Sequence, residues 1–531
     1  RKRAMRSLVL TLVLKNNQSI RIILYLFVMS RIVIGTSGAA SFIASKYSSS
    51  SPIRRSVHLD GNIILNPFGK RRRNKQPTAT KLNAATTELG SNDDIPSVKK
   101  EQQQTFKKRS KKSTTLPPPL PTPADFPDWS YESRDFFRFE ILHQSSKSMA
   151  RVGRIHTPHG IIDTPGFVAV ATNGALKGVD FRDADEAGQQ LVFSNTYHLM
   201  LHPGSETIQA AGGIHAFTNR RDRPFITDSG GFQVFSLAYG SVQEELSSKG
   251  NKSELKRSSV KSNRGCSSMG KDAVKVSEEG VTFRSYRDGS KFLLTPESTV
   301  DAQKEIGADI IIPLDELPPY HIERQKLVES VDRSHRWEAR SLQQHLKNVQ
   351  QQAMFCVIHG GIDVELRTKS VNYLTSLPFD GYGIGGSLGN GRQELKDLLE
   401  WMMPLLDEGE HRYNKPRHLL GIADEESIRN AVTKGIDTLD SAYPTRLGRH
   451  GTLLTRDGHI RMKSGKHKHS FGQKICEGCN CKTCQQYDRA YMWHLFKASE
   501  PLGIQLAALH NIHYMNDLMA DLRKDIMEDK I

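Results

Sequence analysis

Eight short apolar runs, most of them breaking off in polar residues or glycine, constrain this chain more than anything else in it. They are FVAVAT from Phe167, LVFSNTYHL from Leu191, FITDSGG from Phe225, ADIIIPLDE from Ala308, MFCVIHGG from Met354, GYGIGG from Gly381, HLLGIAD from His418 and IDTLDSAYPT from Ile436. Stretches of helical length separate them, for example residues 324–347 and 392–406. Strands that are apolar on both faces belong to parallel sheets covered by helices. Eight such β/α units point to an α/β fold of the (β/α)8 TIM-barrel type, with its active site at the carboxyl ends of the strands. A doubly wound open sheet is the alternative, but the chain has no GxGxxG or phosphate loop to go with it.

The regions outside the barrel differ in composition. Residues 1–130 carry 23 Lys and Arg against 7 Asp and Glu, which accounts for the whole formal charge of +16. The body is therefore neutral, and any nucleic-acid site on it must be a local patch. Residues 20–34 are apolar apart from Arg21, Ser30 and Arg31, and a Ser- and Arg-rich, acid-poor stretch follows. That pattern reads as an address for an organelle, plastid or mitochondrion, too interrupted for a membrane span, so the mature form is expected off the membrane. The alternative is that this leader is an artefact, Met5 and Met29 both being plausible starts, and that the protein is cytoplasmic. Residues 99–124 have no core-forming pattern and are expected to be disordered linker. The folded body is expected from about Phe136, with the catalytic barrel over 136–455. A mobile insertion rich in Ser, Lys, Asn and Gly is expected over 247–276. A hairpin at Arg456-Asp457-Gly458 opens a zinc-binding subdomain that ends in helices, 456–531.

Cysteines 479, 481 and 484 read C-x-C-x-x-C, and His510 follows within a helical pattern. Four of the six cysteines lie within nine residues, which suits a metal rather than a disulfide framework. Cys479, Cys481, Cys484 and His510 would fill a tetrahedral zinc shell, so the ion would be structural. Cys476, His494 and His513 are spare candidates.

Three acids fall at or near strand ends: Asp228, Asp315 and Asp440. Exchange between two N-glycosides needs such a set. One carboxylate displaces the base and bonds to the sugar, a second moves protons, and a third accepts N–H groups from a guanine-like edge. After Asp440 comes a turn at Tyr443-Pro444, then Arg446 and Arg449 on a glycine-containing loop, able to hold phosphate or a base edge. Gly230 and Gly231 let backbone approach a ligand, and Phe232 offers a stacking face. The glycine-rich segment 383–389 exposes backbone donors and acceptors. His359 ends the fifth strand, where it is either a ligand contact or a satisfied core histidine. Glu316 is expected to pair with an arginine.

Taken together, HTPHGIIDTPGF, NTYHLMLHPG, DRPFITDSGGFQ, SEEGVTFRS, DGS, FDGY, GGS, YPTRLGRHG and the cysteine cluster resemble the tRNA-guanine transglycosylase (queuine tRNA-ribosyltransferase) family, in that family's order, from about Phe136 onward. The resemblance implies exchange of guanine at wobble position 34 of GUN-anticodon tRNAs for a 7-deazaguanine base. It puts Asp440 at the nucleophile and Asp228 at the general acid/base. Ser229, Gly230, Gly231 and Phe232 fall on the base pocket. Asp315, His359, Gly386, Ser387, Gly389 and Leu420 fall on substrate-binding positions. Gly421, Ile422, Ala423, Asp424, Glu425, Glu426 and Ser427 match a segment that contacts the anticodon loop. Thr445, Arg446, Leu447, Gly448 and Arg449 match the segment reading the wobble site. Cys479, Cys481, Cys484 and His510 match the ligands of one structural Zn2+.

Two departures bear on the base. The family usually has Gln where this chain has His359, and Ser387-Leu388 replaces its usual pair. Gly389 stands where bacterial members carry Val, which would leave room for the cyclopentenediol of queuine over the smaller aminomethyl precursor. The resemblance also implies a homodimer, or a heterodimer with a paralogous subunit. Retention of all three acids favours the catalytic over a non-catalytic partner subunit. A metal-dependent barrel hydrolase would need a His-x-His pair on the first strand, and that pair is missing.

Overall fold

The computed structural model describes residues 117–127, 134–239, 274–285 and 287–531. The apolar run at 20–34, the basic leader and most of the 247–276 insertion lie outside the described residues.

Three strands come first, β1 (Arg138–Gln144), β2 (Arg151–Thr157) and β3 (Gly160–Thr164), paired antiparallel in that order. Then β4 (Gly166–Val170), β5 (Val192–Ser194) and β6 (Phe225–Thr227) begin the barrel. A second antiparallel sheet interrupts it: β7 (Val274–Val276), β8 (Val281–Arg284) and β9 (Lys291–Leu294). The barrel resumes with β10 (Ile310–Ile311), β11 (Ala353–Ile358), β12 (Gly381–Ile384), β13 (Arg417–Leu419) and β14 (Thr438–Ser441). All eight barrel strands are parallel, and β14 pairs with β4 to close the ring. Each of the eight apolar runs supplies one strand.

Alternation on β11 explains why its sequence is apolar throughout. Ala353, Phe355 and Val357 fill the barrel interior, while Met354, Cys356 and Ile358 pack outward under the helices. Ile155 and Ile162 from the first sheet, with Phe137 just ahead of β1, join the interior cluster, so that sheet plugs the amino end of the barrel. A buried Arg151 pins it there, with Nε and Nη2 on the Asp437 carboxylate at 2.9 and 2.6 Å. The helix Arg324–Lys347 has the bounds read from the sequence, and Arg392–Met402 ends in a 3-10 turn, Met403–Leu406. Local signals fix other helices: Thr295 and Ser298 form a capping box around Pro296, and Gly307 closes that helix in the left-handed region.

Three boundaries differ from expectation. Residues 117–124 are not linker. Pro121 O accepts the Tyr373 hydroxyl at 2.9 Å, and Phe126 is buried in the main core. Prolines already hold this segment extended, so ordering it costs little entropy and one aromatic anchor suffices. Val274–Val276, placed in the insertion, is the first strand of the second sheet. The segment after Asp440 is a helix, Tyr443–His450, and not a loop, with Pro444 in its first turn and Gly451 as its left-handed cap. Gly448 is there for packing, because a Cβ would lie 2.6 Å from Ala508 N on the neighbouring helix.

The hairpin β15 (Thr452–Thr455) and β16 (Gly458–Arg461) turns at Arg456-Asp457 as expected. The last helix, Pro501–Met527, serves two regions. Leu506 and Ala507 join the cluster around the cysteines, while Met515, Leu518, Met519 and Leu522 pack into the barrel shell. No helix among the described residues is long and apolar enough to cross a membrane.

Candidate active site and metal cluster

The carboxyl ends of the strands gather the acids on one face. Asp228 is the first residue after β6 and is buried. The Asn195 amide donates to its Oδ2 at 2.7 Å, Thr196 N to its Oδ1 at 2.9 Å, and the Gln233 amide to Oδ2 at 2.9 Å. Burial pushes the Asp228 carboxyl above the ordinary range, and those donors only partly offset it. Gly230 and Gly231 also permit close packing: side chains there would meet Tyr197 N at 3.0 Å and Leu314 Cδ1 at 2.9 Å. Phe232 is 49% exposed at the mouth, free to stack on a flat ring.

Asp315 lies past β10 and keeps part of its surface in solvent. Protein crowds the rest of it, and that burial, reinforced by the charges of Asp228 and Glu316, pushes its carboxyl up to about 7. Glu316 pairs with Arg333, as expected.

Asp440 sits on β14 opposite in register to Val168, and Leu439 before it packs outward, so the carboxyl turns to the lumen. Gly421 N donates to Asp440 Oδ1 at 2.8 Å, and His418 Nε2 lies 3.3 Å from the same oxygen without hydrogen-bond alignment. His418 Nδ1 is 2.9 Å from Thr438 Oγ1. The nucleophile candidate is thus held by one backbone donor, with a buried ring beside it. Its position matches that of a strand-end carboxylate in a barrel enzyme.

His359 follows β11 directly. With Gly386, Ser387 and the segment from Pro318 to Leu327 it lines a cleft of about 350 Å³. A single buried side chain shapes that wall. The Arg367 guanidinium donates to Ile358 O at 2.6 Å, Gly361 O at 2.8 Å, Gly385 O at 2.8 Å and Ser387 O at 3.0 Å. It therefore clasps the ends of β11 and β12 together. The expectation for Gly389 fails. A Cβ there would lie 2.5 Å from Glu394 Cβ, so the space beside it belongs to Glu394, not to a ligand. Leu420, after β13, packs toward the lumen.

The segment from Gly421 to Ser427 is acidic, and its carboxylates are engaged. Arg392 binds Asp424 and Glu426 at 2.9 and 2.6 Å, and the Tyr514 hydroxyl donates to Glu425 at 2.6 Å. Ile422 and Ala423 are half-buried and buried. On the helix Tyr443–His450, Thr445 is buried, Leu447 packs on the core, and Arg446 is exposed. Burial and the Arg446 charge pull the Arg449 guanidinium down, and burial and Arg449 pull the Lys177 ammonium down. Lys177, Arg446 and Arg449 thus form a local basic patch on an otherwise neutral body. Lys177 had escaped the sequence reading, because a single lysine in a loop carries no pattern.

Outside the barrel, Cys479, Cys481, Cys484 and His510 converge. His510 Nδ1 is 3.9, 3.4 and 3.3 Å from the three sulfurs. A tetrahedral ion with ordinary Zn–S and Zn–N lengths needs S···N edges of about 3.5 Å, so the four atoms fit. His510 Nε2 lies 2.7 Å from Leu454 O, which leaves Nδ1 as the free lone pair. Cys476, His494 and His513 lie outside this four-atom set.

A closed parallel barrel with three acids at or past its strand ends defines a barrel enzyme, and the Cys3His cluster on its flank has the geometry to hold a metal ion. A family profile for queuine tRNA-ribosyltransferase matches residues 145–268 and 254–531. The chain is 54% identical over 396 residues to a queuine tRNA-ribosyltransferase of Protochlamydia amoebophila, covering 75% of this chain and 97% of the relative. It is 49% identical over 395 residues to that of Chlamydia caviae (74% and 99% covered), and 48% identical over 397 residues to that of Chlamydia felis (74% and 99% covered). The chain belongs to the tRNA-guanine transglycosylase family, and its activity is that of a pentosyltransferase acting on tRNA.

Proposed function

We propose that the enzyme exchanges guanine at wobble position 34 of GUN-anticodon tRNAs for queuine through a covalent Asp440–ribose intermediate. The observation that carries this reading is the pairing of a lumen-facing strand-end carboxylate, Asp440, with a second buried acid, Asp228, whose surroundings favour the protonated form. Asp440 attacks C1′ as the C1′–N9 bond to guanine breaks, and the departing ring takes the proton of Asp228. The incoming base then returns a proton from its N9 to Asp228. Its nitrogen forms the new bond to C1′ as the ester to Asp440 breaks. Asp315 accepts N–H groups of the base edge, Phe232 stacks on the ring, and the wobble base leaves its loop to enter. Lys177, Arg446 and Arg449 hold phosphates beside the site.

Queuine is favoured by the names of the relatives and by the roughly 350 Å³ cleft beside His359 and Ser387. The smaller aminomethyl precursor is the alternative. The metal at Cys479, Cys481, Cys484 and His510 is one structural zinc, which contributes folding energy and takes no part in the exchange. The assembly is a homodimer or a heterodimer with a paralogous subunit, which light scattering would resolve. Residues 1–130 direct import into an organelle, and diffuse cytosolic signal from a reporter fused to them would refute that. Labelled guanine should enter a GUN-anticodon tRNA with the native protein and not with Asp440→Asn. A protein–RNA adduct should persist on denaturing gels only with Asp440 intact. Robust exchange by Asp440→Asn would remove this mechanism, and preference for the aminomethyl base would remove queuine.

A further inference from the structure

His359 is a departure from the family pattern, and its surroundings show how an imidazole is made to serve there. Its ring is 2% exposed, its backbone lies in line with β11, and Gly386 is so close that a Cβ there would be 2.8 Å from His359 Cβ. On the side away from the cleft stands Glu338, fully buried on the helix Arg324–Lys347. Glu338 Oε1 is 3.4 Å from His359 Nε2 without hydrogen-bond alignment, and among the described residues neither buried atom has a hydrogen-bond partner, so the two face each other unsatisfied. Glu338 Oε2 is already engaged, accepting Val357 N at 2.8 Å.

We propose that Glu338 is the positioning residue for His359: its Oε1–H donates to Nε2, which fixes the tautomer and presents Nδ1–H as a single donor toward the cleft. The assignment follows from counting donors and acceptors. Oε2 takes an N–H and so acts as the carbonyl oxygen, which leaves the acid proton on Oε1, the oxygen facing the ring. An ionised Glu338 would be a buried charge balanced by one backbone donor alone, a costly state. Burial raises the Glu338 carboxyl well above its ordinary range, with the Asp315 charge adding to it. Burial also holds His359 well below its own, with His335 and Arg367 adding. Both groups are therefore neutral, and the pair has one arrangement that satisfies it. A glutamine at this position can turn its amide either way round. The histidine with its glutamate cannot, so the site demands an acceptor, such as a ring carbonyl, from whatever occupies the cleft.

The inference rests on reading that cleft as the seat of the incoming base. Kinetics of guanine exchange into tRNA test it on the full-length protein, with folding checked by thermal melting. Glu338→Leu leaves the ring free to change tautomer. KM for guanine should rise by about tenfold, the worth of one hydrogen bond, with kcat within about twofold. Glu338→Gln keeps one acceptor for Val357 and one donor for Nε2, and should restore KM to within about twofold. In an His359→Gln background, Glu338→Leu should change KM no further. Equal KM effects in both backgrounds, or a Glu338→Gln variant as impaired as Glu338→Leu, would overturn the assignment while leaving the exchange reaction standing. Absence of guanine exchange by the native protein would remove the underlying reading and this one with it.

Discussion

Replacing Arg367 by methionine keeps an unbranched apolar stem and removes the donors. Four carbonyls lose a partner: Ile358, Gly361, Gly385 and Ser387. Ile358 O keeps the bond from Gly385 N, so three acceptors are left without one. A buried acceptor stripped of its donor costs about 1–3 kcal/mol, and release of a buried guanidinium returns part of the sum. The net loss should be about 3–5 kcal/mol, because three acceptors are stripped at once. Over roughly 370 described residues the unfolding entropy is about 0.8 kcal/mol/K, so Tm should fall by about 4–6 °C in differential scanning calorimetry. The damage should also be local. The ends of β11 and β12 lose their clasp while Asp440 and Asp228 keep their own partners. KM for guanine should therefore rise by more than KM for tRNA. A Tm within about 1 °C of the native value, or a loss confined to tRNA affinity, would refute the clasp.

Three further outcomes follow from the geometry. Asp315 has a folded-state carboxyl near 7, above its unfolded value, so it favours the native state fully only below the unfolded range, and that contribution is lost as pH rises toward 7. Asp315→Asn should flatten the fall in denaturant midpoint between about pH 4 and 7. His510→Ala removes the fourth ligand and leaves Leu454 O without its partner. Elemental analysis should show the metal gone, with Tm lowered and the helix Pro501–Met527 exchanging amide protons faster. Arg151→Met breaks a buried pair with Asp437 at the amino end of the barrel. It should cost about 3–5 kcal/mol in urea unfolding while exchange per folded molecule stays within about twofold, since that face holds no chemistry.

The barrel could be read from the sequence because its strands are apolar on both faces. Eight strands in an open sheet would have given the same runs without closure, but the order of acids and glycines at their ends fixed the active face. The plug sheet was not seen for a physical reason. β1 alternates exposed and half-buried residues, so RFEILHQ has too few apolar positions to stand out. Asp440, Asp228 and the Cys3His cluster stood out because each sits at a strand end or in a dense run of cysteines. Their supports were missed. Asn195 was within reach, since it closes β5 one residue past its end. Glu338 and Arg367 lie on helices whose polar composition hides which face is buried, and only packing reveals them. The Gly389 expectation failed because a missing side chain says nothing about which neighbour takes the space.

The double duty of the helix Pro501–Met527 bears on how this protein can be made in a cell. It covers β4, the first barrel strand to be synthesised, and Arg523 Nη1 donates to Pro165 O at 2.7 Å just ahead of that strand. The ribosome therefore releases β4 long before its cover arrives. Until then the nascent chain presents an apolar furrow to its surroundings, and chaperones are the natural occupants of such a surface.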